Sequence, residues 1–232
     1  LRIMEYKSLV KGYLLRRYKR FLADVRFEDG TTATVHCPNS GSMLSCLEEG
    51  AEVYCSPASD PKRKTRFTWE MIRINNGWIG INTSLPNVFV FEWIKNGILP
   101  GFNRYTDFRR EVTSGDSRFD IFCRNEDEEC FVEVKNVTLK VGDEAQFPDS
   151  VTTRGKKHLE TLILLKKSGK RAIMVYTVQR MDVSSFAPAK EIDPEYAGAL
   201  ERAVKAGVEV LVVKVEVTPG KISYHSLMEY HF

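Results

Sequence analysis

Cysteine is scarce and unpaired in this 232-residue chain: five residues (Cys37, Cys46, Cys55, Cys123, Cys130) make an odd number with no C-x-x-C pair. That argues against a disulfide framework and against the common zinc sites. Cys37, Cys46 and Cys55 recur at a regular interval beside His36, so a metal cluster stays open as the alternative to reduced, packed thiols. Also missing is any apolar run of the roughly 20 residues that span a bilayer. The opening stretch LRIMEYKSLVKGYLLRRYKR carries charge throughout, unlike a secretory leader, and the expectation is a cytoplasmic protein with no membrane partner. There is no G-x-G-x-x-G, no Walker-type lysine loop, no H-E-x-x-H and no G-x-S-x-G. Dinucleotide cofactors, zinc proteolysis and hydrolase-elbow chemistry therefore lack support, and no organic cofactor is implied.

Neither sign of charge dominates, since the formal net charge is +3, but the distribution is uneven. Residues 1–82 hold 13 Lys+Arg against 9 Asp+Glu, while residues 83–232 hold 21 against 22. Two basic clusters supply much of the excess: Arg16, Arg17, Lys19 and Arg20 around Tyr18, and Lys62, Arg63, Lys64 and Arg66 ahead of Phe67 and Trp69. Cations interleaved with aromatics suit a polyanion with stackable bases, because phosphate contacts give affinity and flat rings accept any base. A solvated, charge-protected strand edge is the plainer explanation.

The first third reads as β structure. Phe21, Ala23, Val25 and Phe27 alternate up to Glu28-Asp29-Gly30, and Ala33, Val35 and Cys37 alternate after it, which is the pattern of a hairpin with one buried face. The loop PNSGSM and a short helix-like stretch follow, then strands at 51–56, 66–75 and just after Asn76-Gly77. About five short strands and one small helix predict a partly open barrel of the oligonucleotide-binding type over residues 1–82.

From Thr83 the texture changes. A cap at Thr83 or Ser84 predicts a helix to about Asn96, stopped by Gly97. Strands follow near 107–112, 118–124 and 130–138. A cap at Thr152 or Thr153 opens a helix with Leu159, Leu162, Ile163 and Leu165 on one side, and the run RAIMVYTV closes an α-β-β-β-α-β order. Asp193-Pro194 then caps another helix ahead of the buried strand EVLVVKVEV.

The densest chemistry lies in CFVEVKNVTL. Strand periodicity puts Glu133 and Lys135 on one face and Val132 and Val134 on the other. Charged groups in so apolar a strand require a partner or a metal, and Asp120, in SRFDIF one strand earlier, is the first candidate. Two acids and a lysine at one spot suit a hard divalent cation held through oxygen, with an ammonium left to orient water or steady a phosphate. That is equipment for phosphodiester hydrolysis.

The series Glu111, Asp120, Glu133-Val134-Lys135 resembles the PD-(D/E)XK nuclease signature. More specifically, RYKRFLADV (17–25), HCPNSGSM (36–43), FVEVKNVTL (131–139) and FPDSVTTRGKKHLETL (147–162) resemble the sugar fermentation stimulation protein family, over nearly the whole chain. The resemblance implies an N-terminal oligonucleotide-binding barrel joined to a restriction-endonuclease-like domain over 83–232. It also implies DNA binding with little sequence preference and a regulatory part in sugar metabolism. On that pattern Asp120 and Glu133 hold Mg²⁺ or Mn²⁺, Lys135 assists attack, and Glu111 ligates or accepts a hydrogen bond. Arg154, Lys157 and His158, three and four positions apart near a helix N-terminus, are expected to meet DNA backbone, with a packing role the alternative for His158. Asn39, Ser40 and Gly41 suit an ordinary turn, and their match to the family string implies a binding loop. The partner is single- or double-stranded DNA, with RNA also chemically suited, and a homodimer would suit nicking of both strands. The alternative to a nuclease is a binding protein that keeps the fold and regulates by occupying DNA.

Overall fold

The computed structural model describes residues 3–232; Leu1 and Arg2, the first residues of the expected barrel, lie outside the described part. The chain opens with β1 (Ile3–Glu5) and then builds a barrel from β2 (Val10–Tyr18), β3 (Leu22–Phe27), β4 (Thr32–His36), β5 (Glu52–Pro57) and β6 (Phe67–Ile74), with β7 (Gly77–Gly80) as a hairpin extension. Strand order is β4-β3-β2-β5-β6-β7, and β4 also meets β6 at His36↔Thr68 to close the five-stranded ring. Its interior is filled from alternate positions: Leu14, Ala23, Val25, Val35, Val53 and Trp69 are all buried. Cys37, Cys46 and Cys55 belong to this core. Burial pushes the Cys46 thiol up to about 12, so these are packed thiols. Among the described residues no three His, Cys, Asp or Glu side chains form a set able to hold an ion.

Two expectations fail in this half. The helix-like stretch after PNSGSM is a run of turns, with Met43 in the left-handed region (φ 56°). And the barrel begins at β2: β1 pairs antiparallel with β16 (Lys221–Leu227) in the other domain. Strand β2 itself escapes the alternation pattern because its pairing with β3 slips between Leu14 and Arg16, a bulge that leaves Leu15 and Arg16 both exposed.

The second domain contains α1 (Pro86–Lys95), β8 (Asp107–Ser114), β9 (Ser117–Arg124), β10 (Glu129–Val137), β11 (Leu139–Val141), β12 (Glu144–Phe147), α2 (Thr153–Lys167), β13 (Arg171–Val178), β14 (Ser185–Pro188), α3 (Pro194–Lys205) and β15 (Glu209–Val217). Its seven-stranded sheet runs β1-β16-β15-β13-β10-β9-β8, parallel through β10, β13 and β15. Helix α1 covers one face with Phe89 and Trp93, and α2 and α3 cover the other with Leu159, Leu162 and Leu200. Burial on both faces explains why residues 172–176 of β13, AIMVY, form an unbroken apolar run.

Helix α2 starts where expected: the Thr152 hydroxyl accepts from Gly155 N at 3.0 Å. Asp193 caps α3, its Oδ1 accepting from Tyr196 N at 2.9 Å, while Oδ2 accepts from Thr152 N at 2.8 Å, so one carboxylate pins two helix N-termini together. Helix α1 begins later than expected, with no side-chain cap. The Thr83 hydroxyl is committed to the Pro38 carbonyl (2.7 Å) and that of Ser84 to Asn82 (2.6 Å), so Pro86 opens the first turn instead.

Barrel and second domain share an interior. Met71 of β6 is buried in the same apolar layer as Trp93 and Val215. Gly80 donates to the Gln179 carbonyl at 3.1 Å, and a Cβ there would overlap the buried Gln179 side chain, which would have to move to admit a larger residue. Arg180, 1% exposed, grips Asp182 through Nε (2.7 Å) and Nη2 (2.9 Å) and donates through Nη1 to the Thr138 (2.7 Å) and Ser45 (3.1 Å) carbonyls. No helix among the described residues is long and apolar enough to cross a membrane.

Candidate metal and nucleic-acid cleft

A cleft of about 500 Å³ opens between the two domains, with Arg20, Asn39 and Gly41 on the barrel side and Asp120, Glu133, Lys135, Thr152, Arg154 and His158 opposite. The acids reach it through a local break in the sheet. The β9–β10 ladder ends at Val132↔Ile121. Beyond it, Asp120 turns its carboxylate onto the β10 backbone, Oδ2 accepting from Val134 N at 2.8 Å while Oδ1 accepts from Asn87 Nδ2 of α1 at 2.6 Å. Glu133 projects from the opposite edge of that break, 2% exposed.

The two acids are shifted in opposite directions. Burial, then the Glu133 charge, pushes the Asp120 carboxyl up to about 6, against the pull of Val134 N–H, Lys135 and His158. Burial would also raise Glu133, but a hydrogen bond from His158 and the nearby Lys135 ammonium hold it below the usual carboxylate range. Lys135 Nζ lies 2.7 Å from Glu133 Oε1, and His158 Nδ1 contacts the same oxygen. Oε2 of Glu133 is buried without a hydrogen-bond partner. A buried, orphaned carboxylate oxygen beside a second carboxylate with a raised pKa is an environment that a divalent cation relieves. The donor set fits a hard, oxygen-seeking ion that keeps several of its waters.

The loop expected to bind is built into the domain junction. Asn39 Oδ1 accepts from Gly41 N at 3.0 Å, Arg17 Nη2 donates to the Asn39 (2.9 Å) and Gly41 (2.8 Å) carbonyls, and Asp149 Oδ2 accepts from Met43 N at 2.9 Å. A Cβ on Gly41 would run into the Asp149 carboxylate. The loop is thus fixed from both domains, and it forms one wall of the cleft.

Several expected positions are not brought to the cleft. Glu111 sits opposite Asp120 in the β8–β9 register, but its left-handed backbone (φ 54°) breaks the pairing there. Its side chain is 55% exposed, 3.8 Å from Arg118, and does not line the cleft. Lys157 is exposed and lies outside it, because the α2 face that meets β10 carries positions 154 and 158. His158 does reach the cleft, yet as a nearly buried partner of Glu133. On the barrel, Arg17 is occupied by carbonyls, and Arg16 is paired with Asp24 at 2.8 Å and stacked 4.8 Å from the Tyr18 ring. Lys19 and Arg20 form a tight turn (φ 50° and 61°), which delivers Arg20 to the cleft and leaves Lys19 on the surface. Lys62 and Lys64 lie on the exposed β5–β6 loop, and Arg63 folds back onto Thr65, Thr68 and the Phe67 carbonyl. Sequence reasoning gave no role to Asn87 or Asp149; the one signal for Asn87 was a polar residue in the first turn, just ahead of the apolar run VFVF.

Comparison with known proteins bears on both halves. Residues 15–81 match the N-terminal OB domain of the sugar fermentation stimulation proteins, and residues 84–221 match their RE domain. A sugar fermentation stimulation protein homolog of Geobacter sulfurreducens is 48% identical over 217 residues, covering 93% of each chain. One from Synechococcus sp. strain JA-2-3B'a(2-13) is 47% identical over 214 residues, covering 92% of this chain and 90% of its own. The solved structure of Pyrococcus furiosus SfsA in complex with Ca²⁺ superposes with a TM-score of 0.92 at 30% identity, covering 100% of both chains. With a five-stranded OB barrel, a mixed α/β restriction-endonuclease-like domain and relatives this similar end to end, the chain belongs to the sugar fermentation stimulation protein family.

Proposed function

We propose that the protein is a nucleic-acid-binding protein with little sequence preference, and that its inter-domain cleft hydrolyses phosphodiester bonds of DNA with Mg²⁺ or Mn²⁺. The observation that carries this reading is the recessed pair Asp120 and Glu133, with Glu133 Oε2 unpartnered and the Lys135 ammonium beside it. A bound divalent ion would supply Lewis-acid activation of water and neutralise charge on the phosphate. The chain's own residues do the rest. Asp120 and Glu133 offer the oxygens, and the Lys135 ammonium stabilises the charge that grows on the phosphate. Arg20 from the barrel and Arg154 at the positive end of α2 hold the backbone across the cleft. The Ca²⁺ carried by the Pyrococcus furiosus relative is a hard, oxygen-seeking ion of the same class and supports a divalent site here.

A second reading, a non-catalytic DNA-binding regulator connected with sugar metabolism, draws on the position of Glu111, which leaves two acids where the nuclease signature implied three. One assay separates the two. Single- and double-stranded DNA and RNA are incubated with the protein and Mg²⁺ or Mn²⁺, with and without chelator. The nuclease reading predicts metal-dependent cutting that falls more than about a hundredfold in D120A and K135A while binding persists. Absence of cutting on every substrate, with binding intact, selects the regulator.

A further inference from the structure

The partners of His158 determine which of its ring nitrogens carries the proton. Arg154 Nε lies 3.4 Å from Nε2 as a hydrogen-bond donor. A guanidinium only donates, so Nε2 must offer its lone pair and the proton sits on Nδ1. Nδ1 in turn contacts Glu133 Oε1, the oxygen that also lies 2.7 Å from Lys135 Nζ. The 3.1 Å approach between Lys135 Nζ and Nδ1 is then two donors converging on one acceptor. With Oε1 held by both, the carboxylate plane is fixed, and Oε2, buried and without a partner, is the oxygen left to bind anything else. The imidazole is only 11% exposed, which suits a support better than a surface for phosphate.

We propose that His158 is a positioning residue: it holds Glu133 so that Oε2 faces a divalent cation, and Arg154 locks the ring in the tautomer this needs. The inference rests on the metal-site reading above. Buried supports of this kind typically change metal affinity by about 10–100-fold when removed.

The test measures Mn²⁺ affinity by calorimetry in the wild type, H158A, H158N, H158Q and R154A, with thermal melts to establish folding. An asparagine places an amide N–H near the Nδ1 position, whereas glutamine places one near Nε2. H158A and H158Q are expected to bind about 10–100-fold more weakly, and H158N within a few-fold of wild type. If H158A does not fold, the contrast between H158N and H158Q carries the test. H158A binding as tightly as wild type, or rescue by glutamine and not asparagine, overturns the inference alone. Failure of the wild type to bind Mn²⁺ overturns the metal reading and this inference with it. A metal-free readout is the ring's ¹H–¹⁵N correlation pattern in chelated protein: Nδ1–H is expected, and an Nε2–H tautomer contradicts the proposal.

Discussion

Asp120 shows how far burial and a neighbouring charge shift a single residue. Its carboxyl rises from an ordinary 3.8 to about 6, first through burial and then through Glu133. The folded protein therefore binds that proton more tightly than the unfolded chain does. The group's contribution to stability is fully present below about pH 4 and is lost as pH climbs through about 6, a difference of about 2–3 kcal/mol. In D120N the amide oxygen can keep the Val134 N–H, and Asn87 can turn its own amide to match. Denaturant melts of chelated protein should show D120N more stable than wild type at about pH 8, with the gap closing near pH 4; a constant gap across that range would contradict the account. The placement of Glu133 beside Lys135 was legible because alternation alone puts the two charges on one face. The position of Glu111, away from the cleft, was not, because a left-handed residue inside a strand leaves no trace in the periodicity.

At the scale of elements, the helix starts at Thr152 and Asp193 could be read from the chain, since capping is local chemistry. What could not be read is that Asp193 also holds the Thr152 amide, 41 residues earlier. Replacing Asp193 with alanine removes acceptors from two buried helix ends and should cost about 2–3 kcal/mol, with asparagine recovering part of it. Because Thr152 sets where Arg154 and His158 stand, D193A should also weaken Mn²⁺ binding. Unchanged stability in D193A melts would show that the shared cap is unimportant. The misread start of α1 has the same origin in reverse: Thr83 and Ser84 look like caps, but a carbonyl in the barrel loop and the Asn82 side chain claim their hydroxyls. Short elements such as β1 and β14 owe their pairing to strands far along the chain, β16 and β12, and carry no pattern of their own.

For the whole molecule, the position of the barrel decides what the basic residues can do. Charge counting treats Arg16, Arg17, Lys19 and Arg20 alike, yet only Arg20 lines the cleft, while Arg17 and Arg16 are spent on protein partners. Neutralising Arg20 and Arg154 should weaken DNA binding for all sequences and lower the salt slope by about 0.7–0.9 per lost phosphate contact. R16Q should leave the slope unchanged, and an equal effect from R16Q would move the binding surface elsewhere. Arg180 and the Asp149-held loop tie the two domains into one body, so the cleft is a standing feature of the fold. The most direct test of its purpose is anomalous diffraction from crystals soaked in Mn²⁺. A peak within coordination distance of both Asp120 and Glu133 Oε2 is the predicted result; clear density for both carboxylates with no ion between them would contradict it.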